Sequence, residues 1–159
     1  MRRNRCWLVA VLAACTSGRS GAEAITIDRV VDGDTIDVRV GGRVERVRLT
    51  GIDTPELAHR PEDVAECHAE EAAAYTASLL PVGTAVRLER DVVGRDDYGR
   101  LLAYVYRAAD GVFVNWEIVR HGFALPLSIP PNVAAADPIV HAARAAQADG
   151  AGLWTACRD

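Results

Sequence analysis

The most constraining feature of the chain is a hairpin in which apolar and charged residues alternate. Ile36, Val38 and Val40 alternate with charged residues, and Gly41-Gly42 follows directly. A glycine pair supplies the positive φ angles that a two-residue hairpin turn requires. The returning segment is Arg43–Leu49, so the sequence predicts two antiparallel strands joined by a tight turn.

Similar patterns predict the remaining strands and helices. Further strands are expected from Ile25 onward and in residues 86–89 and 101–106. Three helices are expected, with N-caps at Asp63, Asn115 and Asp137 and ends near Leu80, His121 and Ala148. Three short antiparallel strands followed by a helix and more strands favour a small closed barrel.

Composition and charge limit the class of protein. A chain of 159 residues with 50% hydrophobic and 25% charged residues forms one globular domain. All 18 cationic side chains are arginines, and the net charge is −4. From residue 15 onward, 15 Arg against 22 Asp and Glu give −7. Nucleic-acid binders usually carry a basic surface, so this charge argues against tight nucleic-acid binding.

The first 24 residues have the composition of an export signal. Arg2, Arg3 and Arg5 precede an apolar run at 6–14, which is too short to span a bilayer but suits the core of a signal peptide. Residues 12–15 (LAAC) resemble a bacterial lipobox, which implies cleavage before Cys15 and lipidation of its thiol. The alternative is cleavage after the A-x-A sequence at 22–24.

This interpretation divides the chain into a signal peptide at 1–14, a short tether at 15–24 and a single domain at 25–159. The expected location is the cell envelope or periplasm of a bacterium, as a lipoprotein. A secreted or periplasmic soluble protein is the alternative.

Charged side chains concentrate in residues 48–56 (RLTGIDTPE), where the returning strand of the hairpin ends. Residues 32–35 and 97–100 are expected to converge on the same point. Two nearby carboxylates favour a hard cation, a further glutamate can transfer a proton, and two arginines can bind a phosphate. The combination predicts a metal-dependent phosphodiesterase.

Three motifs in this order resemble the staphylococcal-nuclease-like (thermonuclease) family. They are DGDT at 32–35, R-x-x-x-x-D-T-P-E at 48–56 and D-x-Y-G-R at 96–100, and GLW at 152–154 is a fourth marker. The resemblance covers residues 25–154. It implies an OB-fold, a five-stranded β-barrel with three helices of the α+β class, which agrees with the expected strands and helices.

The resemblance also implies a Ca²⁺ site. Asp34 and Asp53 match the metal-binding aspartates of the family, and Thr54 is similar to the residue whose carbonyl is a ligand. Such an all-oxygen set suits Ca²⁺ better than a soft metal. Asp32 is expected to order the loop or to contact metal-bound water. From the residues alone, Asp34 can also be read as an ordinary turn residue.

The remaining site residues come from the same resemblance. Arg48 and Arg100 match the phosphate-binding arginines, whose planar forks bind two phosphate oxygens and stabilise developing charge. Glu56 matches the position assigned as general base, although a loop salt bridge is the alternative interpretation. Tyr98 matches a tyrosine of the nucleotide pocket. Asp96 or Asp97 is expected to support that loop.

The chain departs from the better-known members of the family in residues 125–131. Those members carry a tyrosine pair that contacts the nucleotide, whereas this chain reads LPLSIPP. We therefore expect weaker substrate binding with the chemistry retained. The four histidines show no metal-ligand spacing with cysteines and are interpreted as structural or surface residues: His59, His68, His121 and His141.

Cys67 and Cys157 are expected to form a disulfide. Of the four cysteines, Cys6 leaves with the signal peptide and Cys15 is lipidated or removed. Export to an oxidising compartment favours pairing of the two that remain.

The expected function is hydrolysis of DNA or RNA, with membrane attachment if Cys15 is lipidated. No protein partner is indicated, and we expect a monomer. One alternative is an OB-fold that binds nucleic acid without cutting it. Another is a calcium-stabilised envelope protein. The retained acidic and arginine residues favour the nuclease.

Overall fold

Seven strands and four helices are present in residues 24–157, the part of the chain that this computed structural model describes. The strands are β1 Ile25–Asp32, β2 Thr35–Val40, β3 Arg43–Leu49, β4 Gly51–Asp53, β5 Ala85–Glu89, β6 Leu101–Arg107 and β7 Leu125–Leu127. The helices are α1 Ala69–Leu79, α2 Val114–Arg120, α3 Ala136–Ala148 and α4 Leu153–Ala156. The expected signal peptide and Cys15 lie outside these residues.

Five of the strands close into a barrel in the order β1-β2-β3-β6-β5. Strand β1 pairs along its length with β2, and Ile25 at its start pairs with Val86 of β5. Two register shifts interrupt the pairing of β1 with β2, and irregularities of this kind bend a strand and increase its twist. Because β3 and β6 pair in parallel, the barrel is mixed. The predicted five-stranded OB-fold barrel is confirmed.

The interior of the barrel is filled by the apolar residues of the alternating strands. Ile36, Val38, Val47 and Leu49 are fully buried, as the alternation predicts. Burying a side chain of this size contributes about 1.5–3 kcal/mol relative to leaving it exposed. The barrel therefore forms a rigid wall, and the polar residues at the ends of its strands have fixed positions.

The first helix begins later than predicted. The capping box expected at Asp63 and Glu66 is wrong, because α1 starts at Ala69. The carboxylate of Asp63 instead accepts hydrogen bonds from the backbone N–H and guanidinium of Arg60. The carboxylate of Glu66 accepts the backbone N–H of Glu56. Both predicted capping side chains are therefore engaged outside the helix.

The other two predicted caps are also wrong. Asn115 lies inside α2, fully buried, where its side-chain oxygen accepts the N–H of Val105 and its amide donates to the carbonyl of Thr50. Helix α3 begins at Ala136, so Asp137 belongs to its first turn. The short helix α4 was not predicted, and residues 24–157 contain four helices where three were expected.

A disulfide joins Cys67, just before α1, to Cys157, just after α4. The bond closes a loop across a sequence separation of 90 residues. In the chain-entropy model, a closure of this length stabilises the folded state by about 4.6 kcal/mol. Among the described helices, none is both long and apolar enough to cross a bilayer.

One charged residue of β2 is buried in the barrel wall. Asp37 is 4% exposed and accepts hydrogen bonds from Nε of Arg29 and from Nε and Nη2 of Arg46. The hydrogen bond from Arg46, followed by that from Arg29, lowers the pKa of Asp37 against the opposing effect of burial. The charged form of Asp37 is therefore the form that stabilises the fold.

We expect Asp37→Asn to lower the free energy of unfolding by roughly 1–3 kcal/mol at pH 7, because hydrogen bonds to a charged group are lost. The pKa of Asp37 is lower in the folded than in the unfolded chain. The contribution of Asp37 to the free energy of unfolding is therefore complete above about pH 4–5, and it disappears as pH falls through the folded pKa. Denaturant unfolding at pH 7 and at pH 2.5 measures the difference between the two proteins. If the free energies of unfolding of the wild type and Asp37→Asn differ by the same amount at both pH values, the charged form of Asp37 is not the stabilising form. The matched control is Asp28→Asn, since Asp28 is in a more exposed pair with Arg39.

Candidate active site

The tight turn between β1 and β2 holds Asp34 against the loop that follows β4. Asp34 is 2% exposed, and its carboxylate accepts hydrogen bonds from the hydroxyl of Thr35 and the backbone N–H of Thr54. A Cβ at Gly33 would lie 2.7 Å from Oγ1 of Thr54, so only glycine permits this approach. Burial raises the pKa of Asp34, against the lowering effect of the nearby Arg48 guanidinium.

Arg48 connects two of the predicted metal ligands. Its Nη2 lies 3.0 Å from Oδ2 of Asp34 and 2.7 Å from Oδ1 of Asp53. Its Nη1 donates to the carbonyls of Leu49 and Ile52, at 2.8 and 2.7 Å. The two carboxylates therefore lie on either side of a single cationic nitrogen, and the strand and the loop are joined through one side chain.

A second cluster lies beside this one and contains a histidine that the sequence analysis did not place in the site. Asp32, 3% exposed, accepts hydrogen bonds from the backbone N–H groups of Gly33 and Leu57. Nε2 of His59 lies 3.0 Å from Oδ2 of Asp32. One potential ligand atom from each of Asp32, Glu56 and His59 lies within 4.8 Å of the others, a group that could hold a metal ion.

Glu56 has an unusual protonation equilibrium. Removal of its carboxyl from water, together with the hydrogen bond and negative charge of Asp32, raises the pKa of Glu56 to about 7. The negative charge of Asp34 adds to this effect, and Arg48 opposes it. A carboxyl that titrates near neutral pH is suited to giving and taking a proton in a reaction.

The loop between β5 and β6 supplies the second arginine. Asp96 accepts hydrogen bonds from the backbone N–H groups of Tyr98 and Arg100 and from Nε of Arg100, the last at 2.6 Å. Of the two aspartates considered from the sequence, Asp96 is therefore the one that supports this loop. The guanidinium carbon of Arg100 lies 5.6 Å from the centre of the Tyr98 ring, which is 87% exposed.

A cleft of about 460 Å³ connects the two arginines. Arg48 and Arg100 both line it, and so do apolar residues of the segment at 125–131 that departs from the family pattern: Leu127, Ile129, Pro130 and Pro131. Strand β7 in this segment pairs with β4, so that Leu125 lies opposite Asp53. The segment without tyrosines is thus a wall of the cleft beside the predicted metal ligands.

The sequence matches a known protein family. Residues 46–156 match the model of the staphylococcal nuclease homologue. The chain belongs to this family. The matched residues include Arg48, Asp53, Glu56 and Arg100, whereas Asp34 precedes them. The predicted family is confirmed, and with it the expectation of a hydrolase of the nuclease type.

Individual relatives of this nuclease homologue carry consistent names. This chain is 37% identical over 132 residues to the thermonuclease of Staphylococcus intermedius, and the aligned region covers 83% of this chain and 76% of the relative. This chain is also 33% identical over 142 residues to the thermonuclease of Staphylococcus hyicus, and the aligned region covers 88% of this chain and 82% of the relative. Endonuclease YncB of Bacillus subtilis (strain 168) is 35% identical to this chain over 133 residues, and the aligned region covers 82% of this chain and 61% of the relative.

We expect Asp32→Asn to lower the pKa of Glu56 in this nuclease homologue, because the substitution removes the neighbouring negative charge. The wild-type carboxyl should titrate near 7. The pKa of Glu56 in the variant should be lower than this, although removal of the carboxyl from water still holds it above the ordinary value of 4.5. Carboxyl ¹³C chemical shifts followed across pH without divalent metal measure both values. An unchanged Glu56 titration in Asp32→Asn would show that Asp32 does not act on Glu56.

Proposed function

We propose that this chain is an exported, calcium-dependent nuclease that hydrolyses phosphodiester bonds of DNA or RNA by attack of water. The observation that carries the proposal is the position of Arg48 between Asp34 and Asp53, with Glu56 beside them and Arg100 on the same cleft. The names of the relatives, thermonuclease and endonuclease, support a nucleic-acid substrate.

The donor set around Asp34 fits a hard cation. Asp34 and Asp53 already share one positively charged nitrogen, that of Arg48. Among residues 24–157, Oγ1 of Thr54 is one of the buried side-chain oxygens without a hydrogen-bond partner. Carboxylate and neutral oxygen donors together suit Ca²⁺. We propose Asp34, Asp53 and Thr54 as the residues that hold Ca²⁺, which supplies positive charge for a phosphate when it is bound.

Glu56 is the proposed general base for the attacking water. Its raised pKa means that the carboxyl is partly ionised at neutral pH, and a base of this kind can accept the proton of water as the phosphorus–oxygen bond forms. Asp32 is the proposed partner that keeps Glu56 in this state, because its buried carboxylate is fixed by backbone N–H groups.

The two arginines are the proposed phosphate ligands. Both Nη groups of Arg48 are engaged, Nη1 with two carbonyls and Nη2 with two carboxylates. Nη2 would become available to a phosphate oxygen if a bound Ca²⁺ took its place between the carboxylates. Asp96 holds Arg100 through Nε, an arrangement that keeps the Nη groups for phosphate oxygens. Preorganised cationic donors of this kind stabilise the charge that develops in the transition state.

We expect the domain to degrade heat-denatured DNA with Ca²⁺ and to lose this activity with a chelator. Arg100→Ala should lower kcat by about 10²–10³-fold, because losing a preorganised donor removes transition-state stabilisation. Arg120→Ala is the matched control, since Arg120 pairs with Asp149 at the end of α3. Product formation under saturating substrate measures kcat.

Wild-type turnover by Arg100→Ala would contradict the site assignment. Tight, metal-independent binding of single-stranded DNA without cleavage would instead favour a non-catalytic OB-fold binding module.

Substrate binding should be weak relative to turnover. The cleft wall at 125–131 offers leucine, isoleucine and proline side chains, and lost stacking costs about 1–3 kcal/mol per base. Losing an interaction that stabilises the bound substrate and the transition state equally raises KM and leaves kcat unchanged. We therefore expect Ser128→Tyr combined with Pro130→Tyr to lower KM more than it changes kcat in steady-state assays. A change confined to kcat would contradict this explanation.

The proposed location rests on the sequence before the described residues. We propose a signal peptide at 1–14, a tether at 15–24, a nuclease domain at 25–159 that acts as a monomer, and membrane attachment through lipidated Cys15. Membrane fractionation of the wild type and of Cys15→Ser tests this attachment. Soluble wild-type protein beginning at Ile25 would contradict it.

A further inference from the structure

The proposed general base lies on a segment without regular secondary structure. Strand β4 ends at Asp53 and α1 begins at Ala69, and Glu56 belongs to the segment between them. A side chain on such a segment is only as fixed as the contacts that hold its backbone. The contacts of the Glu56 backbone therefore decide how well its carboxyl is positioned.

A single residue holds both polar groups of the Glu56 backbone. The N–H of Glu66 donates to the carbonyl of Glu56 at 3.0 Å. The N–H of Glu56 donates to Oε2 of Glu66 at 3.1 Å. Hydrogen bonds to an ionised acceptor are stronger than neutral ones. Glu66 thus closes the segment into a loop at the residue that matters for the proposed chemistry.

The disulfide fixes the chain next to Glu66. Cys67 is bonded to Cys157, which follows α4. The N–H of Leu153, at the start of α4, donates to the carbonyl of Gly122 at 2.9 Å, so this C-terminal segment is attached to the turn after α2. A small cleft is lined by residues of both segments and of the proposed metal site: Asp53, Thr54, Pro55, Glu66, Cys67, Leu125, Leu153 and Cys157.

We propose that Glu66 is a positioning residue for Glu56, and that the Cys67–Cys157 disulfide makes its hold on Glu56 depend on the oxidised state. This inference rests on the proposed function, in which Glu56 is the general base. Arg48 lies on β3, and Arg100 is held by Asp96 next to the start of β6, so the contacts that position the barrel and the two arginines do not include this bond. Reduction should therefore lower turnover without unfolding the domain.

The redox step is an exchange with a dithiol. Reduction breaks the bond between the two sulfur atoms and leaves thiols at Cys67 and Cys157, while the dithiol is oxidised to its own disulfide. Cys67 is exposed, so a small dithiol can reach the bond. The protein would then be fully active in an oxidising compartment and less active in a reducing one.

Substitutions at Glu66 test the positioning role. Glu66→Ala should lower kcat by on the order of tenfold to a hundredfold with little change in KM, as expected when a catalytic group is misplaced. Glu66→Gln keeps an oxygen acceptor for the N–H of Glu56 and should recover most of the loss. Glu70→Ala removes an exposed carboxylate from the first turn of α1 and should behave as wild type. Wild-type kcat in Glu66→Ala would overturn the positioning role.

Reduction tests the disulfide. Dithiothreitol should lower kcat of the wild type to that of Cys67→Ser/Cys157→Ser, and it should have no effect on the double variant. Circular dichroism should show that the reduced wild type and the double variant remain folded. Equal kcat in oxidised and reduced wild type would overturn the redox dependence.

Hydrogen exchange separates this inference from the proposed function, because it needs no substrate. The Glu56 amide should exchange faster in Glu66→Ala and in the reduced wild type than in the oxidised wild type. Faster exchange in a protein that cleaves no nucleic acid would support the positioning contact and reject the nuclease proposal. Unchanged exchange at Glu56 would reject the contact, whatever the activity.

Discussion

The site depends on one partly buried guanidinium. Arg48 projects from the end of β3 and binds the carbonyls of Leu49 and Ile52, together with the carboxylates of Asp34 and Asp53. The two carboxylates repel each other, and the effect is felt most at Asp34, which is buried while Asp53 is half exposed. Arg48 compensates that repulsion, and this allows the β1–β2 turn and the end of β4 to meet. The barrel contributes by pairing Arg48 of β3 with Thr35 of β2, which places the guanidinium next to the β1–β2 turn.

The two halves of the site differ in how they are held. Asp34 and Arg48 lie beside or on barrel strands whose registers are set by the buried face of the barrel, and Asp53 ends β4, which pairs with β7. Glu56 and His59 lie on the irregular segment before α1, where single hydrogen bonds and the disulfide decide the geometry. A fixed set of charges with a more adjustable side chain as the proposed proton acceptor suits a reaction in which the charge stays and the proton moves.

Alternation and turn chemistry were sufficient to predict the five strands of the barrel, because the period of two is imposed by burial of one face. The three-residue strands β4 and β7 were not predicted, since segments this short carry no clear alternation. The same patterns failed for the helix starts. Asp63, Asn115 and Asp137 are good caps in isolation, but tertiary contacts use Asn115 to join β6 to the residue after β3. His59 was not predicted to lie in the site, since its contact with Asp32 spans 27 residues and has no local signature. The contact between Glu56 and Glu66 was missed for the same reason.

The proposed calcium-dependent activity requires that the carboxylates beside Arg48 bind the metal ion. Calorimetric titration of Ca²⁺ into the wild type, Asp53→Asn and Asp28→Asn, without nucleic acid, tests this most directly. We expect one site in the wild type, an affinity at least tenfold lower in Asp53→Asn because one of two charged ligands is lost, and no change in Asp28→Asn. Equal Ca²⁺ affinity in Asp53→Asn and the wild type would contradict the account.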